Sequence, residues 1–429
     1  MSVLLDSEST IGMDLYATST PGINGRLKKI PEHFIVEEIP LDIPRSDTGI
    51  YVVLEIESRN WETNRLLKAI SAQLRVSRHA IKIAGTKDRR AIKRQYISFR
   101  GDMNEISRIN LNDFRIVNAF RSNKGIDLGK LWGNKFSIIV SDIEYSDQVT
   151  SDYIKNTLDE LNGTFPNFFG QQRFGVLRPV THLVGKEIIH RNWKEAVRLY
   201  VGNPVKEEDV EVYNARKFFD DSFDANQSIK LYPGKLTFET AILNQIIKSN
   251  SDYENGFSVL SKNLQMMFVH AYQSYIFNKL LSLRMKEVGD LNTLFLGDRI
   301  FPVSREQGVM EDKIITVDNY NISKIESKIS EKKAVLALPI VGHSFTFSNG
   351  KPGEFEHKVI DESELPLFMN PDHREFSSTG YVRSANGFLF DLKWNVRDNH
   401  AFFDFILTKG CYATVFLREV MKTSPANYG

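Results

Sequence analysis

Residues 167–175 read Asn167-Phe168-Phe169-Gly170-Gln171-Gln172-Arg173-Phe174-Gly175, and the texture of the chain changes across them. Upstream, runs of β-branched and aromatic residues alternate with polar breaks. RLKKIPEHFIVEEIP, a polar turn at RSDTG and IYVVLEIE predict strands over 26–57. Leu66, Leu67, Ile70 and Leu74 share one face of a helix over 63–74, with Thr63 as its cap. AIKIAG and QYISFR predict extended structure on either side of Thr86-Lys87-Asp88. NKFSIIVSDI predicts another strand, and 152–161 a helix stopped by Gly163. Downstream of Gly175, helical spacing dominates over 182–200, 237–249 and 258–282, followed by charged, Ser-rich stretches and short strands such as AVLALPIV. The closing HAFFDFILTKGCYATVFLREVMK reads strand, turn, helix. Strands early and late with helices between them predict a mixed α+β fold carrying a large insertion.

The chain has 429 residues, 41% hydrophobic, 25% charged and 11% aromatic, enough for two or three domains and a sizeable core. No uncharged apolar run is long enough to span a membrane. The start, MSVLLDSEST, has no basic stretch leading into an apolar one, so a soluble, cytoplasmic protein is expected. Cys411 is the single cysteine, which excludes intramolecular disulfides and multi-cysteine zinc sites. The net charge of +1 hides an asymmetry: residues 65–100 hold eleven Lys and Arg against one acid, Asp88. Such a block in a balanced chain suggests a polyanion bound at one face, although charge alone favours a solvated helix face and cationic loops.

Phosphate-loop, dinucleotide-binding, zinc-protease and nucleophile-elbow motifs are absent, and the nine histidines lack ligand spacing. His270, in an apolar helical stretch, reads as a core residue. Chemistry must therefore come from carboxylates, amines, hydroxyls and rings. In Gly85-Thr86-Lys87-Asp88-Arg89-Arg90-Ala91 a carboxylate leaves a strand end among Lys87, Arg89 and Arg90, cations that favour its ionised form. That suits nucleophilic or electrostatic catalysis better than proton donation, and the plain alternative is an Asp–Arg pair pinning a turn. Residues 167–175 combine amides, three rings, an arginine and two glycines. Such a set can stack a base, read its edge and hold a phosphate, although a lone Phe more commonly anchors a core. The 267–281 stretch reads as a helix buried on most sides, and Cys411 as inert packing.

Taken together, RLKKIPEHFIVEE, GTKDRRA, NFFGQQRFG, AYQSYIFN and FILTKGCYATVFLRE resemble the TruD family of tRNA pseudouridine synthases, in family order from about residue 26 to 420. The resemblance implies a pseudouridine synthase catalytic core of mixed and antiparallel sheet with flanking helices. This core would comprise residues 1–178 and 385–429, interrupted by an insertion (TRUD) domain over 179–384 whose length fits the archaeal branch. It implies isomerisation of a uridine in tRNA, typically at position 13, with tRNA as partner, no cofactor, no metal and a monomer favoured.

By the same resemblance Asp88 is the catalytic nucleophile, with Lys28 facing it and Lys87 beside it as support. Phe34 would stack on the target base and add little to the core, while Asn167, Phe169 and Tyr412 would shape the uridine pocket. Arg89, Arg90 and Arg173 would hold the RNA backbone. Thr408-Lys409 stands where the family commonly carries a Leu-Pro-type pair. The other classes compatible with these residues are a non-catalytic RNA-binding or RNA-folding protein on the same scaffold, a synthase acting on other RNAs, and an unrelated carboxylate-dependent nucleoside hydrolase.

Overall fold

The computed structural model describes residues 6–429, so the start of the stretch read above for a leader pattern lies outside the described residues. Strands β1 (Phe34–Pro40), β2 (Tyr51–Arg59), β3 (Lys82–Ile83), β4 (Ile92–Arg100), β5 (Phe114–Ser122) and β6 (Leu131–Val140) come first, then β7 (Thr164–Pro166). After a helical stretch follow β8 (Arg299–Ser304), β9 (Gly308–Val309), β10 (Ile315–Thr316), β11 (Ala334–Ile340) and β12 (Tyr381–Ser384). The chain closes with β13 (Asn386–Phe388), β14 (Phe390–Arg397), β15 (His400–Thr408) and the helix Ala413–Met421.

The large sheet runs β14-β15-β6-β1-β4-β2-β5 with β3 on β4, and the second runs β10-β8-β11-β12 with β9 on β8. β1 and β4 are parallel, with Ile35 opposite Ile92, whereas the other pairings of the large sheet are antiparallel. β12 ends the second sheet at Ser384, and two residues later β13 pairs with β7. The fold is mixed α+β, as the sequence predicts. Among the described residues no helix is long and apolar enough to cross a membrane.

A large apolar cluster joins the two sheets. It takes Phe34, Phe136 and Phe405 from the first, Ile300 and Leu336 from the second, Phe277 and Leu281 from the Lys262–Val288 helix, and Phe416 from the closing helix. β11 is buried at every position, which is why AVLALPI reads as an unbroken apolar run. At the other end of the chain, Arg418 of the closing helix is buried between Glu8 (2.7 Å) and Glu419 (3.0 Å), its guanidinium 4.0 Å from the Tyr16 ring. That cluster ties the amino-terminal segment to the closing helix.

Several expected boundaries move, each for a local reason. Residues 26–33 are not strand: Lys28 is left-handed (φ 52°) and Pro31–His33 forms a 3-10 turn. The Thr63–Leu74 helix is capped by Glu62, whose carboxylate accepts from the Asn64 and Arg65 N–H groups, and not by Thr63. The helix expected over 152–161 spans Asp147–Leu161 because Ser146 caps it, and Asn162 ends it in a left-handed conformation just before Gly163. The stretch 182–200 splits into Thr181–Ile189 and Trp193–Val201 around left-handed Arg191, and the helix Val210–Ser222 goes beyond the sequence expectation.

His270 is half-buried, while the histidine sunk in the core is His182, stacked on Tyr275 at 5.0 Å and edge-on to Phe174 at 5.3 Å. Burial pulls the His182 imidazole down from 6.5 to about 4. The folded state therefore holds it neutral, and the associated stability is complete above pH 6.5 and lost as pH falls toward 4. Thermal melts of His182→Gln from pH 7 to pH 4 should show a shallower acid decline than wild type; parallel declines would remove His182 from the acid response.

Candidate active site

The parallel pairing of β1 with β4 brings the segments that precede them to one part of the sheet. Lys28 lies in the lead-in to β1, where Arg26 exchanges backbone hydrogen bonds with Ser141 and the Leu27 N–H donates to the Asn427 carbonyl at 2.8 Å. These contacts hold Lys28 in its left-handed conformation, a non-glycine backbone state that costs energy and persists only when its surroundings impose it. The side chain is 2% exposed, and its Nζ sits 3.1 Å from Asp88 Oδ2 and 4.6 Å from the Phe34 ring centroid. A desolvated ammonium needs such partners. Asp88 itself is 29% exposed, and among the described residues only its Oδ2 is engaged, so Oδ1 is left open.

The loop over 84–91 that carries Asp88 is fastened along its length. Gly129 N–H donates to the Ala84 carbonyl at 2.7 Å, and Thr63 Oγ1 lies 3.3 Å from both the N–H and the carbonyl oxygen of Lys87. Lys87 turns away from Asp88: its Nζ pairs with buried Glu38 at 3.0 Å and donates to Asn134 Oδ1 at 2.6 Å. Arg90 donates to the Lys29 carbonyl at 2.6 Å, while Arg89 is exposed. The cation that meets Asp88 thus comes from sixty residues upstream, and the neighbours Lys87 and Arg90 are anchors of the loop.

Asp88 opens onto a cavity of about 430 Å³ whose lining includes Phe34, Val36, Phe136, Gln172, Gly410 and Tyr412. Phe34 is 2% exposed, edge-on to Phe136 at 6.1 Å, and Phe136 in turn stacks on Phe405 at 5.4 Å. The expectation that this ring adds little to the core is therefore corrected: it is a cavity wall and a core residue at once. Tyr412, 38% exposed, projects at the start of the closing helix. Asn167 and Phe169 stand one layer behind Tyr412 and are not among the lining residues. The Asn167 amide donates to Ser384 and its Oδ1 accepts from Arg383 at 2.8 Å, while the Phe169 ring lies 6.4 Å from that of Tyr412. Gly175 closes this motif at φ 101°, where an added Cβ would meet the Arg178 carbonyl oxygen at 2.4 Å.

The model of the tRNA pseudouridine synthase D (TruD) family matches residues 10–420. The chain belongs to that family. It is 39% identical to "Probable tRNA pseudouridine synthase D" of Methanosarcina mazei, over 97% of this chain and 98% of that protein. It is 37% identical to the protein of the same name from Picrophilus torridus, over 96% and 97%. A crystal structure from Methanosarcina mazei that carries the TruD name superposes with a TM-score of 0.82 at 37% identity, covering 99% of both chains. As a TruD-family member the chain is a tRNA pseudouridine synthase, an isomerase.

Within this TruD chain the basic block is not one surface. Lys93 lies inside on β4, where burial lowers its ammonium to about 8 and its Nζ donates to the Trp61 carbonyl. Arg94 pairs with Glu55 at 2.6 Å, and Lys87 with Glu38. Arg65, Lys68, Arg75, Lys82 and Arg89 are exposed. Arg173 is half-buried, its guanidinium carbon 5.4 Å from the Phe169 ring centroid, so it belongs to the layer behind the cavity. The sequence reading gave no role to Glu38, Asn134, Gln172 or Arg383; the first three lay within quoted stretches, and only Arg383 lay outside all of them. Cys411 is half-buried, packed against the apolar cluster and in the cavity wall, with burial pushing its thiol up. Replacing Phe34 by Ala should cost about 3–5 kcal/mol of stability in denaturant melts, as for a packed core ring; a loss below about 1 kcal/mol would mark it as a purely surface wall of the cavity.

Proposed function

We propose that Asp88 is the nucleophile acting on a uridine of tRNA, at position 13, with the base extruded from the folded RNA into the cavity that Asp88 lines. The observation that carries this reading is the Lys28–Asp88 pair: one carboxylate oxygen is held at 3.1 Å by a buried ammonium and the other is left open. In the isomerisation the N1–C1′ bond breaks, the uracil turns, and a C5–C1′ bond forms as the C5 proton leaves and N1 takes one up. Attack at C1′, attack at C6 and abstraction of a ribose proton all begin from an ionised, oriented carboxylate. Extrusion costs a few kcal/mol, and each base–ring contact returns about 1–3 kcal/mol. Phe34, Phe136 and Tyr412 are the rings of the cavity wall, with Asn167 and Phe169 supporting Tyr412 from behind.

In the same proposal residues 179–384 form the insertion domain and residues 1–178 with 385–429 the catalytic domain, the RNA lying across both. The end of the second sheet at Ser384 and the return of β13 to β7 support that division. Lys28 and Lys87 orient the nucleophile and its loop. Exposed Arg89 and its basic neighbours on 65–100 meet RNA phosphates, with Arg90 fixing the loop to Lys29.

Asp88→Asn preserves the shape of the side chain, so it should abolish tritium release from C5-labelled uridine in tRNA while tRNA affinity stays within about threefold. Activity within tenfold of wild type would remove Asp88 from the mechanism. For the phosphate contacts, tRNA affinity should fall steeply with salt, and Arg89→Glu should weaken binding and lower the log–log salt slope by about one or more without moving the modified uridine. An unchanged slope would return Arg89 to the solvated surface.

A further inference from the structure

Among the described residues four arginines are buried, and three of them have carboxylates: Arg216 with Glu208 and Glu239, Arg284 with Asp298, Arg418 with Glu8 and Glu419. The fourth, Arg383 on β12, is 7% exposed and forms no ion pair among the described residues. Its hydrogen bonds go to one residue. Nε and one terminal nitrogen donate to the Asn167 carbonyl at 3.3 and 3.0 Å, and that same nitrogen donates to Asn167 Oδ1 at 2.8 Å. Its guanidinium carbon lies 4.0 Å from the Phe169 ring centroid, 5.5 Å from that of Phe277 and 5.6 Å from that of Tyr412. An isolated buried cation is costly, and apolar residues of similar volume usually serve stability better. What this one provides is a rigid planar fork that grips an amide and its own backbone while its face lies on a ring, a geometry that neither lysine nor an apolar side chain reproduces.

We propose that Arg383 is a positioning residue for the isomerisation, reaching from the second sheet to lock Asn167 and Phe169 into one unit that sets Tyr412 against the cavity. This rests on the reading that the cavity beside Asp88 receives the target base. Arg383 acts through those neighbours, and the ring faces and Asn167 that enclose it argue against a phosphate contact.

The test compares Arg383→Met and Arg383→Lys with wild type and Asp88→Asn on unmodified tRNA, measuring single-turnover rate, Kd, its salt slope and Tm. For Arg383→Met the rate should fall at least thirtyfold while Kd stays within threefold, the salt slope is unchanged and the protein stays folded at the assay temperature, Tm dropping only modestly as two buried Asn167 acceptors lose their donor. Arg383→Lys keeps the charge and loses the fork, so it should remain at least tenfold slow. A wild-type rate in either variant would overturn the inference. So would a rate loss accounted for by unfolded protein, or weaker binding with a salt slope reduced by about one, which would make Arg383 a phosphate contact. An active Asp88→Asn would sink the nucleophile reading alone, because the Arg383 comparison is made against wild type in the same assay.

Discussion

The parallel pairing of β1 and β4 is the constraint on which the site depends. In an otherwise antiparallel sheet it places two strands side by side with the same direction, so that both lead-in segments arrive together. A parallel pair needs a long crossover, and here that crossover supplies β2, the Thr63–Leu74 helix and β3 before the chain comes back through the Asp88 loop. Lys28 and Asp88, sixty residues apart, meet because of that geometry. An antiparallel arrangement would have carried one of them to the opposite end.

The loop is then fixed by two ion pairs made by adjacent residues pointing different ways. Lys87 reaches to Glu38 on β1 and Asp88 to Lys28 ahead of β1, so both pairs fasten the loop to the same strand and its lead-in. Each pair is shielded from solvent on at least one side, which makes it firm and also expensive to break singly. The nucleophile candidate is accordingly held by fixed surroundings, while its second oxygen is left unengaged. Such pre-arrangement of charge leaves little reorganisation to the moment of reaction.

How much of this was legible in the sequence depended on whether the signal was local. The Thr63–Leu74 helix, the closing strand-turn-helix and the buried helix within 262–288 follow from apolar spacing that each segment carries by itself. The basic block was legible as a count but not as a surface. Strand alternation on β4 turns Lys93 inward with Ile97 and Phe99, and no tally of charges records which face a residue takes. Glu38 looked like one more polar residue of a strand, and its partner lies in a loop about fifty residues away. Arg383 stood in a four-residue strand with no surrounding motif, so only the fold could disclose that it touches the motif at 167–175. The left-handed turn at Lys28 was hidden for the same reason, being imposed by Ser141 and Asn427.

The apolar cluster that joins the two sheets has a mechanical meaning. A boundary filled by Phe277, Leu281, Ile300 and Leu336 cannot swing open without wetting those side chains, unlike the polar seams along which domains ordinarily hinge. The joined sheets therefore act as a preset mould. In the proposed extrusion of the base, bending, unstacking and unpairing fall to the nucleic acid, and discrimination among uridines to how readily each one gives way.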